Sequence, residues 1–215
     1  MRIYDEIRPR CLADVRGQSA ALGKIAGYRE QFGFGGAALW ITGKSGTGKS
    51  LIASLLAAEI AEPWAVVTVD AGRVSASMVD DWERTCGLLG LSDTKPGRVW
   101  VIEEAHGLRA DIMRRLLTWL QALPGHCTVI FTTTCDGQEA LFDTKIDASP
   151  LVSRCFPVRL TTQGMAEPVA EYLRAEFGRL GMNGKPPAWY LRQVRDANNN
   201  VRQAIQNIAA SMMAV

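Results

Sequence analysis

Residues 37–61 read "AALWITGKSGTGKSLIASLLAAEIA". The first six form a nearly continuous apolar run, the length and texture of a strand buried on both faces. From Lys49 onward, leucine, isoleucine and alanine predominate, as in a buried helix. Between the two, Gly43-Lys44-Ser45-Gly46-Thr47-Gly48-Lys49-Ser50 fills every position of G-x-x-x-x-G-K-[ST]. Glycines in such a turn let successive backbone N–H groups face inward around a phosphate, and the new helix points its positive end at the same anion. The motif puts Lys49 on the β- and γ-phosphates of ATP and the Ser50 hydroxyl on Mg²⁺. Gly43, Ser45, Gly46, Thr47, Gly48 and Leu51 are the other expected nucleotide contacts within it. Its position between a buried strand and a helix separates it from a chance glycine-rich turn.

Outward from that turn, the pattern predicts a helix over 17–31 and a glycine-rich loop over 32–36. Beyond the first helix pair come a strand over 64–70, a helix over 76–90, a strand over 98–104, a helix over 109–122 and a strand over 127–134. A short strand is expected at 156–160. After that the strands stop, and helices are predicted over 165–180, 187–197 and 199–213, with Pro168 suited to a first turn. Short, continuously apolar strands alternating with helices specify a parallel sheet covered on both sides. The expected architecture is α/β: a core with a parallel five-stranded sheet over residues 1–160, then a small all-helical domain over 161–215.

Phosphate chemistry needs an acidic partner at a neighbouring strand end, and "VWVIEEAH" (99–106) supplies one. Four apolar residues lead to Glu103 and Glu104 at the carboxyl edge, where parallel sheets bind ligands. Glu103 suits Mg²⁺, held through water, and Glu104 suits the polarisation of an attacking water. A pair of acids after a strand also satisfies the dipole of a following helix; the P-loop upstream favours the catalytic reading. The string Glu-Glu-Ala-His is also that of a helicase box. That reading requires a second motor domain, so His106 is expected to be a structural residue at the turn.

Composition excludes little. The chain has 215 residues, 47% hydrophobic and 21% charged, with a net charge of +2. Near-neutrality confines any DNA binding to a local patch. Cysteines 11, 86, 127, 135 and 155 are dispersed without a C-x-x-C pair, which points to free thiols and no zinc framework. The amino terminus lacks an apolar signal core and no run approaches membrane-spanning length, so a cytoplasmic protein is expected.

Further motifs lie on either side of the phosphate turn. Arg8-Pro9 and Val15-Arg16-Gly17-Gln18 precede it; Thr132-Thr133-Thr134, Ser153-Arg154-Cys155 and Arg202 follow. With Glu103-Glu104, this set resembles AAA+ ATPases of the clamp-loader type, such as the small subunit of replication factor C and the gamma–tau ATPase module of DNA polymerase III. The resemblance spans roughly residues 3–210. It implies that Val15 and Arg16 lie beside adenine and that Thr134, less surely Thr133, is sensor 1. It further implies that Arg154 is the arginine finger offered to the next subunit and that Arg202 is sensor 2 in a helical lid. A guanidinium's forked, permanent charge suits both arginine roles. Three departures stand out: no prolines follow Gly43, Glu103 replaces the usual aspartate, and neither a collar domain nor a zinc-binding insertion is evident.

Two functions are therefore expected. The first is an ATPase acting at subunit interfaces of a head-to-tail homo-oligomeric ring or spiral, directed to DNA and to a replication or recombination protein. Arg109, Arg114 and Arg115 are its candidate DNA contacts, although a solvated helical face explains them as well. The second is a nucleotide-dependent switch with slow turnover that recruits a protein partner. A small-molecule kinase leaves Arg154 and the helical lid without a purpose.

Overall fold

The computed structural model describes residues 3–87, 94–134, 149–182 and 184–213. They group into two compact units. One comprises 23–43 with 49–159, and the other combines 1–22, the turn 44–48 and 160–215.

The first unit is built on a parallel sheet. β1 (Ala37–Thr42), β2 (Val66–Asp70), β3 (Arg98–Glu103), β4 (Cys127–Thr133) and β5 (Phe156–Arg159) lie in the order β2-β3-β4-β1-β5. Every adjacent pair is parallel. β1 and β4 are buried along their whole length, which is why both read as apolar runs without alternation. The helices associated with this unit are α2 (Ser19–Phe32), which starts in the other unit, α3 (Lys49–Ile60), α4 (Ala76–Cys86), α5 (Ala110–Gln121) and the single turn α6 (Ser149–Val152).

One face of the sheet packs on α4 and α5 through aromatic residues. Trp100 meets Trp119 edge-on at 4.9 Å, Trp82 lies 5.7 Å from Trp119, and Trp40 lies 5.3 Å from Phe131. Full burial of side chains of this kind contributes roughly 1.5–3 kcal/mol each. Strand ends positioned by such a core hold their geometry without help from a ligand.

The second unit is helical: α1 (Ile3–Glu6), α7 (Ala166–Arg179), α8 (Pro187–Asp196) and α9 (Val201–Met213). Its core holds Ile7, Leu173, Phe177, Tyr190, Val194, Ile205 and Ile208. The amino-terminal segment is fastened to α7, where Tyr172 Oη donates to the Ile7 carbonyl at 2.8 Å and Arg179 donates to that of Glu6 at 2.8 Å.

The predicted elements occur with shifted ends, and two short ones, α1 and α6, add to them. The expected strand at 64–70 begins at Val66, because Pro63–Ala65 forms a 3-10 turn. The strand expected to reach Glu104 stops at Glu103, since Glu104 is left-handed. Pro168 takes the third position of α7, where its missing N–H breaks no helical bond. Residues 88–90 of the expected second helix, and Cys135, lie outside the described residues. No described helix is long and apolar enough to cross a membrane.

Cys86, Cys127 and Cys155 are buried free thiols, whereas Cys11 is exposed. Burial pushes the thiols of Cys127 and Cys155 up to about 12, with the neighbouring Cys86 adding to the shift at Cys127. Thiolate is the reactive form, so alkylation of the native protein at pH 8 should modify Cys11 and spare Cys127 and Cys155 until denaturant is added. Peptide mass mapping checks this, and rapid native labelling of Cys127 would contradict the core described above.

Candidate functional site

β1 ends at Thr42 and the chain turns immediately, because Gly46 and Gly48 adopt φ of +79° and +98°. These are left-handed values that side chains resist. Thr47 braces the turn internally, its hydroxyl donating to the Lys44 carbonyl at 2.7 Å. A Cβ added at Gly48 would meet nothing within 4 Å, so the loop leaves open space there. α3 starts at Lys49, and its first-turn N–H groups have no acceptor inside the helix. Lys49 is only 6% exposed, and its ammonium donates to the Gly43 carbonyl at 2.9 Å. Ser45 and Ser50 are exposed and Leu51 is half-buried. An open cradle, oriented N–H groups and an inward-held cation fit a phosphate chain.

The turn 44–48 groups with the helical unit, and its contacts there are specific. The Val201 N–H donates to the Gly46 carbonyl at 3.1 Å. The amide of Asn200 lies where a Gly46 Cβ would fall, with its Oδ1 only 2.0 Å from that position. Gln18, 2% exposed, reaches both Thr47 O (3.4 Å) and Thr161 O (2.9 Å) through Nε2, while its Oε1 accepts from Thr161 N at 3.1 Å. Asn198 and Asn199 are both left-handed, as asparagine tolerates. Asn199 is pinned to the Thr162 carbonyl at 3.1 Å, and Asn200 caps α9 by accepting from Gln203 N at 3.1 Å. The motif Val15–Gln18 does not show the bonds of Gln18 to Thr47 and Thr161, nor does the sequence show the packing of Asn200 on Gly46, because those partners are far away in the chain.

The acidic pair lies at the same strand edge. Glu103 closes β3, opposite Asp70 of β2, whose carboxylate is occupied by Gly72 N at 2.9 Å. Glu104 follows in left-handed backbone (φ 51°, ψ 50°), a strain of about 1–3 kcal/mol that turns its side chain away from the strand direction. His106 lies on the next 3-10 turn, with Nδ1 3.4 Å from Glu104 Oε2 and 3.2 Å from Thr133 Oγ1. Thr133 is the last residue of β4 and faces Thr42 of β1 in register; Thr134 falls just beyond the strand. His106, expected to be a structural residue at the turn, lies on that turn with its ring facing one of the two acids.

The remaining expected residues are dispersed. Val15 is buried and ends a 3-10 turn, beside an exposed Arg16 that donates to Ala13 O at 2.6 Å. Arg154 is exposed, and its guanidinium donates to the Pro150 carbonyl at 2.8 Å. Arg202 is exposed at the second position of α9. Of the three arginines near α5, Arg109 pairs with Asp111 at 3.7 Å and Arg115 pairs with Asp80, whereas Arg114 forms no ion pair among the described residues.

The sequence matches no family model and none of the curated proteins. Solved structures do match. A threonine-to-valine variant of Thermotoga maritima RuvB superposes with a TM-score of 0.73 at 18% identity, over 95% of this chain and 64% of that one. A lysine-to-arginine variant gives 0.73 at 17% identity, and an arginine-to-alanine variant 0.70 at 19%, each over 94% of this chain and 64% of its own. The chain thus spans about 64% of the length of these structures. At such identity the likeness concerns fold: a P-loop AAA+ core with a parallel five-stranded sheet, followed by helices.

The turn makes unequal demands on its two left-handed glycines. Gly48→Ala should cost about 1–3 kcal/mol from backbone strain alone, whereas Gly46→Ala adds the collision with Asn200 and should cost more. Urea unfolding of the two variants measures the difference, and equal losses would contradict the packing at Gly46.

Proposed function

We propose that the chain is an AAA+ ATPase that binds Mg·ATP in the turn 43–50 and hydrolyses it at interfaces between copies of itself. In this reading residues 1–160 form the nucleotide-binding domain and 161–215 its helical lid. One observation carries the proposal. The end of β1, from which the P-loop leaves, shares a strand edge with Glu103 at the end of β3, with Glu104 just after it, and with Thr133 at the end of β4.

The roles follow from chemistry. The backbone of Gly43, Ser45, Gly46, Thr47, Gly48 and Leu51, with the Lys49 ammonium, would hold the phosphates, and Val15 and Arg16 would flank the base. Ser50, and Glu103 through water, would hold Mg²⁺, which neutralises phosphate charge when bound. Glu104 orients and deprotonates the attacking water as a general base. The sensor 1 position goes to Thr133 or Thr134; burial and the contact with His106 favour Thr133. Arg202 would report the phosphates to the lid.

Arg154 supplies the missing positive charge to a neighbour's ATP, which requires a head-to-tail ring or spiral. We infer DNA as the partner polymer, with a replication or recombination protein as the associated machinery, in keeping with the clamp-loader resemblance. Arg114 is the best of the three candidate DNA contacts. A second reading, a slow switch that recruits a protein, is favoured by Arg154 being tied to its own Pro150 carbonyl and by Glu103 in the place of aspartate.

Glu104→Gln should retain ATP binding and lose turnover by about 10²–10⁴-fold, because an amide keeps the shape but takes no proton. Persistent turnover in a purified Glu104→Gln sample overturns the base assignment.

The finger is tested by mixing. Arg154→Ala should bind ATP normally and turn over on the order of 10³ times more slowly, the low end of the effect of arginine fingers. Adding Lys49→Ala subunits, whose Arg154 is intact, should restore part of the rate, with a maximum at intermediate ratios. A flat response in samples that assemble normally by light scattering rules out action in trans.

A further inference from the structure

The ring of His106 occupies a place that the turn alone does not explain. The 3-10 turn Ala105–Gly107 is anchored by Ala105 and Leu108, each 2% exposed, and by the Gly107 N–H on the Glu104 carbonyl at 2.8 Å. With the turn fixed at both ends, the imidazole projects across to β4. Its Nδ1 lies 3.2 Å from Thr133 Oγ1 and 3.4 Å from Glu104 Oε2. Thr133 is 1% exposed, so the hydroxyl end of this bridge does not move with solvent.

The state of Glu104 gives the bridge meaning. Its side chain as a whole is 43% exposed, yet Oε2 itself is shielded from solvent and has no hydrogen-bond partner among the described residues. One carboxylate oxygen is therefore turned inward toward the imidazole while the rest of the group faces outward.

We propose that His106 is the positioning residue of Glu104. Its Nδ1, bonded to Thr133 Oγ1 and 3.4 Å from the unpartnered Glu104 Oε2, would turn its N–H onto that oxygen in the working state and fix the carboxylate so that its other oxygen faces the water to be activated. The neighbouring carboxylate selects the tautomer with the proton on Nδ1, by the ordinary logic of a ring nitrogen facing an acceptor. The proton stays on His106 throughout, and the water's proton goes to Glu104. The inference rests on the reading of Glu104 as the base. It adds that a single contact from His106 sets the base's aim and ties it to the end of β4. Misplacing a reacting group by about 1 Å costs roughly 10²-fold, so the contact matters for rate and not for ATP affinity.

The test is a set of variants in the full chain, read by kcat, KM, nucleotide affinity and Tm together. His106→Ala should lower kcat by about 10- to 100-fold, with ATP affinity and Tm held near wild type. His106→Asn places an amide N–H near the position of Nδ1 and should recover most of the rate; His106→Gln, which reaches toward the Nε2 position, should not. In ¹⁵N–¹H spectra the chain shows only two histidine rings, and His126→Ala identifies the other. The His106 ring signal should shift in both Glu104→Gln and Thr133→Val.

Wild-type kcat in His106→Ala, with Glu104→Gln inactive, overturns the positioning role and leaves the base assignment intact. Equal losses in the Asn and Gln variants, accompanied by a fall in Tm, also overturn it, since a packing role would produce that pattern. Turnover by Glu104→Gln, or none by the wild type, removes the base assignment and this inference with it.

Discussion

The parallel register of β1, β3 and β4 is the constraint on which the site depends. It sets Thr42 opposite Thr133 and Ile102 opposite Phe131, so that β1, β3 and β4 terminate together at one edge. Parallel strands point all their carboxyl ends the same way, and that edge is where backbone groups and strand-end side chains converge. Gly43, Glu103 and Thr133 are distant in sequence and become neighbours only through the ladder. The aromatic packing of Trp40, Trp82, Trp100, Trp119 and Phe131 keeps that ladder in place.

Electrostatics then explains the turn. Lys49 is a cation at 6% exposure with its ammonium on the Gly43 carbonyl. Keeping a charge out of water is costly unless anions or strong dipoles compensate, and in the proposed function a polyphosphate would add negative charge beside the ammonium and the first N–H groups of α3. The left-handed backbone at Glu104 is strain of the sort that collects at functional sites, whereas glycine takes such values freely at Gly46 and Gly48.

How far the sequence revealed this differs from residue to residue. β1, the P-loop and α3 are legible because apolar runs, glycine spacing and a helix-forming tail are all local. The α/β order is legible for the same reason. Glu104 reads as part of a strand because nothing in "VIEEAH" signals a left-handed residue. Three consecutive threonines do not show where the strand ends; the sheet register places its last residue at Thr133. α1 and α6 are single turns, too short for any periodicity. Gln18 and His106 act through partners 143 and 27 residues away, and such contacts exist only once the chain has folded. Asn200, which packs against Gly46, is hidden for the same reason. The grouping of residues 44–48 with the helical unit has no local signature either.

The proposed function has as its first requirement a phosphate site in the turn 43–50. Isothermal titration of ATP into the wild-type chain, first with Mg²⁺ and then with the metal chelated, tests that requirement most directly. The account predicts saturable binding of one nucleotide per chain, weakened when Mg²⁺ is withheld from Ser50 and Glu103. Absence of binding by folded protein, or binding that inorganic triphosphate fails to compete away, would contradict it.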